Sequence, residues 1–441
     1  MWLDQLPDPR DPKRIVYSLR HEVFAGLLMF LNGCGSRDQY DGDRHSSAFL
    51  PNLLDMSGTN EPLTASSHAM NYLMEIMDPA KGMDALAGKM TYRLIRNHAL
   101  DDHRTLGNEF MLAVDGVHIY TAKGRLPNAV YKEIEGKTHS VFSALEAKIV
   151  TYDGMGFSLG ARFIENEERY VKQDCERKAF YHLAKTLKKR FPRLPLCLLL
   201  DGLYPSKQVL DICEKNRWSY YMTLKDGVIP KLSAAAMTQI SKKPKQSVDH
   251  SPEPGVFQRI SWALNLDHEG RTTHVLICEE TTLESREIKK KTFVWLTNAR
   301  PNHKNAARLV REARCRWVVE EAFNFQKNNG ELELEHVYGR VGFAMKNYYH
   351  LLQVAHTLLQ LMIRGDLFPK LQRKHIQWNF GQFPEQVKAM LALVATTTLK
   401  HYKTMKNLIR RVAESFRTER FSALATDPTA LGTIQIRLNT C

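Results

Sequence analysis

Two short apolar runs, each closed by the same acidic dipeptide, constrain this chain most. MLAVDG covers residues 111–116 and LCLLLDG covers residues 196–202. Unbroken apolar runs of this length are the pattern of strands buried on both faces. Between them, ALEAKIVTYDGMGFSLGARFI reads as two more strands around the turn Tyr152-Asp153-Gly154, and QDCERKAFYHLAKTLKKRF reads as an amphipathic helix. After the second run, a helix is expected from Pro205 to Asn216 and a strand at WSYYMTLKDG. Three strands, helix, strand, helix, strand is the order of a mixed α/β sheet. EFMLAVDGVHIYTA as a whole reads as a strand, and each Asp-Gly is read as the end of the buried-looking run. A carboxylate at such a place is costly unless it meets a cation, and ligands bind at strand ends in α/β sheets. Asp115 and Asp201 together would suit a hard divalent cation, which prefers oxygen donors. The alternative at each position is that the aspartate only caps a turn.

The flanking segments read differently. Residues 1–105 are read as a helical domain, with LPDPRDP as an extended entry. Helices are expected from Ser18 to Leu31, after the caps Ser66 and Ser67, and from Met83 to His98. Residues 227–300 mix polar turn material (KKPKQ, the PEP of residues 252–254, HEGR) with the strand candidates RISWALNL, HVLICEE and KKTFVWLTN. They are read as a β-rich insertion. Helix resumes at Lys304 and runs to about Asn328, and KNYYHLLQVAHTLLQLMIRG reads as a long amphipathic helix. The expected layout is therefore a helical DNA-binding domain at 1–105, a core at 106–226 and 301–345, an insertion at 227–300, and a helical basic region at 346–441.

Charge narrows the class of partner. The 441 residues hold 62 Lys and Arg against 48 Asp and Glu. Residues 364–420 alone carry twelve lysines and arginines against four acids. Such a surplus favours a polyanion, because cations beside phosphates release condensed counterions. Seven cysteines without a C-x-x-C pair fit neither a disulfide framework nor a zinc site. The opening residues are rich in Pro, Asp and Arg, and the longest apolar run is too short to span a bilayer. A cytoplasmic protein without a membrane role is expected.

The stretch RWVVEEAFNFQK at residues 316–327 supplies a third acid. On a helix, Arg316, Glu320 and Lys327 fall within an arc of roughly 40°, and Glu321 lies roughly 100° away. Val319 and Phe323 flank Glu320, which makes it the better ligand candidate and Glu321 a solvated acid. Taken alone, Arg316 and Glu320 would be an ordinary pair one helical turn apart.

Taken with the two aspartates, the stretch resembles the Y-R-E-K signature of bacterial insertion-sequence transposases of the DDE class. Arg, three residues, Glu, six residues, Lys is the spacing of that signature. The 118 residues between Asp201 and Glu320 leave room for the insertion these enzymes carry before the glutamate helix. The resemblance covers roughly residues 105–360. One departure is plain: the signature tyrosine, three residues before the arginine, is Ala313 here. In the family that tyrosine helps hold a DNA backbone phosphate.

The resemblance implies a ribonuclease H-like core that binds two Mg²⁺ ions, or Mn²⁺ in their place, through Asp115, Asp201 and Glu320. It implies that Arg316 and Lys327 contact DNA phosphate. By the same comparison, Phe293 and its strand neighbour Trp295 are candidates to stack a base flipped from the transposon end, the alternative being that both rings are core. The implied activity is cleavage of transposon ends at terminal inverted repeats and their joining to target DNA. The implied partners are both duplexes and a second copy of the chain in the DNA complex, and the implied location is the nucleoid. A nuclease of the same core without strand transfer, and a DNA-binding protein with lapsed catalysis, are the alternatives.

Overall fold

The computed structural model describes residues 2–166, 175–225, 227–284, 287–329 and 332–364. The basic region beyond Arg364 and its expected DNA footprint lie outside them. Helices come first: α1 (Leu19–Leu31), α2 (Arg37–Asp43), α3 (Phe49–Ser57), α4 (Ser67–Ile76) and α5 (Met83–Arg96). Ser18 caps α1 by accepting from the His21 amide, and Ser66 caps α4 by accepting from Ala69. Then come β1 (Phe110–Lys123), β2 (Val130–Ile134), β3 (Lys137–Val150), β4 (Gly156–Ile164), α6 (Glu176–Arg190), β5 (Leu196–Leu200), α7 (Lys207–Asn216) and β6 (Ser219–Thr223). The chain continues through α8 (Pro230–Lys242), β7 (Ser247–Glu253), β8 (Val256–His268), β9 (Arg271–Glu284), β10 (Glu287–Thr297), α9 (Ala306–Arg314), α10 (Trp317–Asn324) and α11 (Ala344–Arg364).

The result is an α/β protein built on one mixed, largely antiparallel sheet, ordered β2-β3-β1-β5-β6-β10-β9-β8-β7, with β4 also paired to β3. β1, β5 and β6 run parallel, β3 runs antiparallel to β1, and β4 runs antiparallel to β3. On one face α6 buries Ala179, Phe180, Leu183, Ala184 and Leu187, one apolar stripe of a helix, against β4 and β3, in a core that also takes the even-numbered side chains at the start of β1. The other face carries α9, α10, α11 and the N-terminal helices in a second continuous core. The N-terminal helices therefore do not close a core of their own. Among the described residues no helix is long and apolar enough to cross a membrane.

The strand read over EFMLAVDGVHIYTA forms as β1, which passes through Asp115-Gly116 to Lys123 and pairs with β3 from Leu112 opposite Ile149 to Lys123 opposite His139. Three expectations change. Residues 230–242 of the insertion form α8, with proline at its first position. The PEP segment is partly strand, since β7 reaches Glu253. The helix expected over 304–328 is broken at Cys315-Arg316 into α9 and α10, and a π-helical turn covers Phe325–Asn329. The strands of the insertion form no sheet of their own, because β10 pairs with β6 and continues the core sheet.

Candidate active site

Strand register brings the two aspartates together. β1 and β5 pair from Phe110 opposite Leu196 to Ala113 opposite Leu199. Two residues further along the same register, Asp115 stands level with Asp201, and neighbouring strands run roughly 4.8 Å apart. Alternation sends both side chains to one face, the face shared by Met111, Ala113, Cys197 and Leu199. Asp201 also does turn work, since its Oδ1 accepts from the Leu203 amide at 2.8 Å. The turn reading and the ligand reading describe the same residue.

α10 lies across β1 and β3 and carries the third acid to this point. Val318, Val319, Ala322 and Phe323 are its buried side, which leaves Glu320 half-buried at the rim and Glu321 exposed. Arg316, at the break before α10, joins two of the acids. Its Nη1 is 3.5 Å from Asp115 Oδ2, and its Nη2 donates to Glu320 Oε1 at 2.5 Å. Lys225, just beyond β6, places Nζ 3.8 Å from Asp201 Oδ2. Its stem lies against Gly202, where a Cβ would stand 3.1 Å from Lys225 Cγ.

The charge of the site is unbalanced. Burial raises the Asp115 carboxyl to about 6; Arg316 opposes the rise, while Glu320 and Asp201 add to it. A fourth carboxylate, Glu176 at the start of α6, rests under Gly116, with Oε1 2.5 Å from where a Cβ there would be. Burial, then Asp115 and Asp201, raise its pKa as well. Only glycine leaves room for that contact. Neither Glu176 nor Lys225 is marked by any local pattern in the sequence. They join the site only through the sheet.

Among the described residues, no group of three or more His, Cys, Asp and Glu side chains is gathered closely enough to hold a metal ion as it stands. The donors nevertheless suit one. They are carboxylate oxygens, the ligands hard dications take, in a partly buried cluster whose most buried aspartate already resists ionisation.

The residues expected to meet DNA divide. Arg316 is at the centre of the site. Lys327 sits in the π-helical turn and pairs with Glu335 Oε1 at 2.7 Å, an oxygen also 3.3 Å from His118 Nδ1. Trp295 is only 4% exposed, so it belongs to the core and is closed to a stacking base. Phe293 stacks on Trp295 with centroids 5.8 Å apart, and the Arg314 guanidinium lies 4.7 Å above its ring. Ala313 is 2% exposed inside α9, so the place of the signature tyrosine faces core. The ring that does reach solvent beside the acids is Trp317, 51% exposed, with the Arg316 guanidinium carbon 5.4 Å from its centroid.

Beside the site, on the same face of the sheet, lies a buried ion pair. Glu146, the cross-strand partner of Asp115, and Lys148 are both fully buried, 3.8 Å apart. Tyr349 donates to Glu146 at 2.7 Å, and Lys148 donates to Gln353. Both partners are on α11, which is thereby fixed under β3. No protein-family model matches the chain, and no curated protein matches it.

Proposed function

We propose that the chain is a DNA transposase of the DDE type, in which Asp115, Asp201 and Glu320 hold two divalent cations. The observation that supports the reading is that Asp115 lies level with Asp201 along the β1–β5 register, while Arg316 bridges Asp115 to Glu320, a residue far away in sequence. An antiparallel trio β4-β3-β1 followed by the parallel strands β5 and β6 is also the arrangement that a ribonuclease H-like core implies.

Two Mg²⁺ ions bound there would activate the attacking oxygen and stabilise the leaving one in an in-line displacement at phosphorus. The chain's own groups do the rest. Arg316 presents a planar fork suited to a phosphate, and Trp317 offers a solvent-facing ring beside it. The half-buried setting limits water around the reacting phosphate. In the first step water attacks, the P–O3′ bond breaks, and a 3′-hydroxyl remains. In the second, that hydroxyl attacks a target phosphodiester and expels the target's own 3′-oxygen. No covalent protein–DNA bond is needed.

The test is incubation of the full chain with Mg²⁺ and a DNA fragment bearing the inverted repeats that flank its gene. Nicks at the repeat ends, lost in Asp115→Ala, Asp201→Ala and Glu320→Ala, are the expected result. Cutting by the alanine variants at the wild-type rate would remove the assignment. Cut ends without joined products would favour the nuclease reading.

A further inference from the structure

We infer that Arg316 is the resident counter-ion of the carboxylate site, and that a divalent cation must displace it, which couples metal binding to the capture of a DNA phosphate. The inference rests on the metal-site reading above. One guanidinium bridges Asp115 and Glu320, at 3.5 Å and 2.5 Å, and its side chain is only 12% exposed. Two carboxylates that share a cation in this way cannot turn the same oxygens to a metal ion. The metal and the arginine therefore compete for Asp115 Oδ2 and Glu320 Oε1, and the positive guanidinium stands beside the place a dication would take.

Displacement does not discard the arginine. Arg316 already lies over the Trp317 ring, and Trp317 is open to solvent. A guanidinium released from the acids keeps that aromatic contact and turns its fork outward, where a phosphate can accept from it. Each ligand then frees the group that the other requires, and the coupling is reciprocal by linkage. Without a dication, Arg316 is neutralised internally and DNA binds without its help. Without DNA, the metal must break the bridge unaided.

The experiment measures binding rather than turnover. Mn²⁺ affinity is read by electron paramagnetic resonance for the wild type, Arg316→Gln, Arg316→Lys and Asp201→Asn. The affinity for a fluorescent 40-base-pair duplex is then read by anisotropy in EDTA and in Ca²⁺. Arg316→Gln should bind Mn²⁺ tenfold or more tightly than wild type, and Arg316→Lys, whose single ammonium cannot span both acids, should fall between. Ca²⁺ should tighten wild-type duplex binding about tenfold and leave Arg316→Gln unchanged. The 1–3 kcal/mol usual for coupled sites corresponds to roughly 5–150-fold. If Arg316→Gln binds Mn²⁺ no better than wild type, while Asp201→Asn binds none, the counter-ion role is overturned and the metal site stands. If Mn²⁺ binds equally to wild type and Asp201→Asn, or to neither, the metal-site reading fails and takes this inference with it. Circular dichroism spectra matching wild type confirm that each variant is folded, and Arg316→Lys carries the test if Arg316→Gln is not.

Discussion

Asp115→Asn should make the metal-free protein more stable while abolishing the proposed Mg²⁺-dependent cleavage. The folded protein raises this carboxyl from 3.8 to about 6, chiefly by burial. A shift of about two units is worth roughly 3 kcal/mol between the two protonation states. The sign follows from linkage. A raised folded pKa means that the native state binds the proton more tightly, so the stabilising contribution is complete below about pH 4 and lost as pH climbs through 6. At pH 8 the ionised aspartate is therefore a burden on the fold. Asparagine removes the charge and keeps an oxygen to accept from the Gly116 amide, as Asp115 Oδ1 does at 3.0 Å. The variant should gain on the order of 1–3 kcal/mol at pH 8, shrinking to about 1 kcal/mol or less at pH 4.5. Thermal unfolding in EDTA at both pH values reads this as a midpoint several degrees higher at pH 8. With Mg²⁺ the wild type should recover by mass action and the variant should not. Equal or lower stability of Asp115→Asn at pH 8, or a gain independent of pH, would refute the view of Asp115 as a desolvated acid among like charges.

Other outcomes follow from the same geometry. Lys148→Met leaves Glu146 buried without its cation and should cost about 3–5 kcal/mol. The double variant with Glu146→Gln should regain most of that in a denaturant titration. Gly342 has a φ of +56°, and a Cβ there would stand 2.3 Å from the Glu75 carbonyl oxygen, which accepts from Phe343. Gly342→Ala should therefore lower stability by more than about 2 kcal/mol, and an unchanged melting curve would contradict the docking of α11 on α4. Trp317→Ala should weaken binding of a duplex with a nick or splayed end by about 1–3 kcal/mol if the ring stacks a base. Equal affinities in an anisotropy titration would leave Trp317 without that role.

Much of this was readable from the sequence, where the signal is local. Ser18 and Ser66 mark helix starts because a hydroxyl before an apolar stripe satisfies an orphan amide, and both do so here. LCLLL announced a strand buried on both faces, and that is β5. The errors arise where pairing at a distance decides. The strand over EFMLAVDGVHIYTA was legible as β1, but not that its middle would bring Asp115 opposite Glu146 of β3. The break at Cys315-Arg316 leaves a trace that the reading of one long helix passed over, because the buried positions of α9 (306, 309, 310, 313) and of α10 (318, 319, 322, 323) do not continue one stripe at 100° per residue. α8 was hidden by polar neighbours, although PKLSAAAM carries a helix-start proline and three alanines. At the site, the spacing singled out Arg316 and Glu320. Glu176 and Lys225 became visible only once the sheet had ordered its strands. The alternation that placed Phe293 and Trp295 on one face held, but the burial of Trp295 depends on packing at a distance in the core on that face.

The joining of β10 to β6, from Trp295 opposite Thr223 to Thr297 opposite Tyr221, limits how the molecule can be cut down. Excising residues 227–300 would not release a tidy minimal core. It would strip β6 of its neighbour and bare a row of amides and carbonyls in the middle of what had been a continuous ribbon. Such a raw edge seeks any strand it can find, so a trimmed version should precipitate or pair with itself. The segment that looks like an accessory is, in mechanical terms, the closing plank of the floor on which the acids stand.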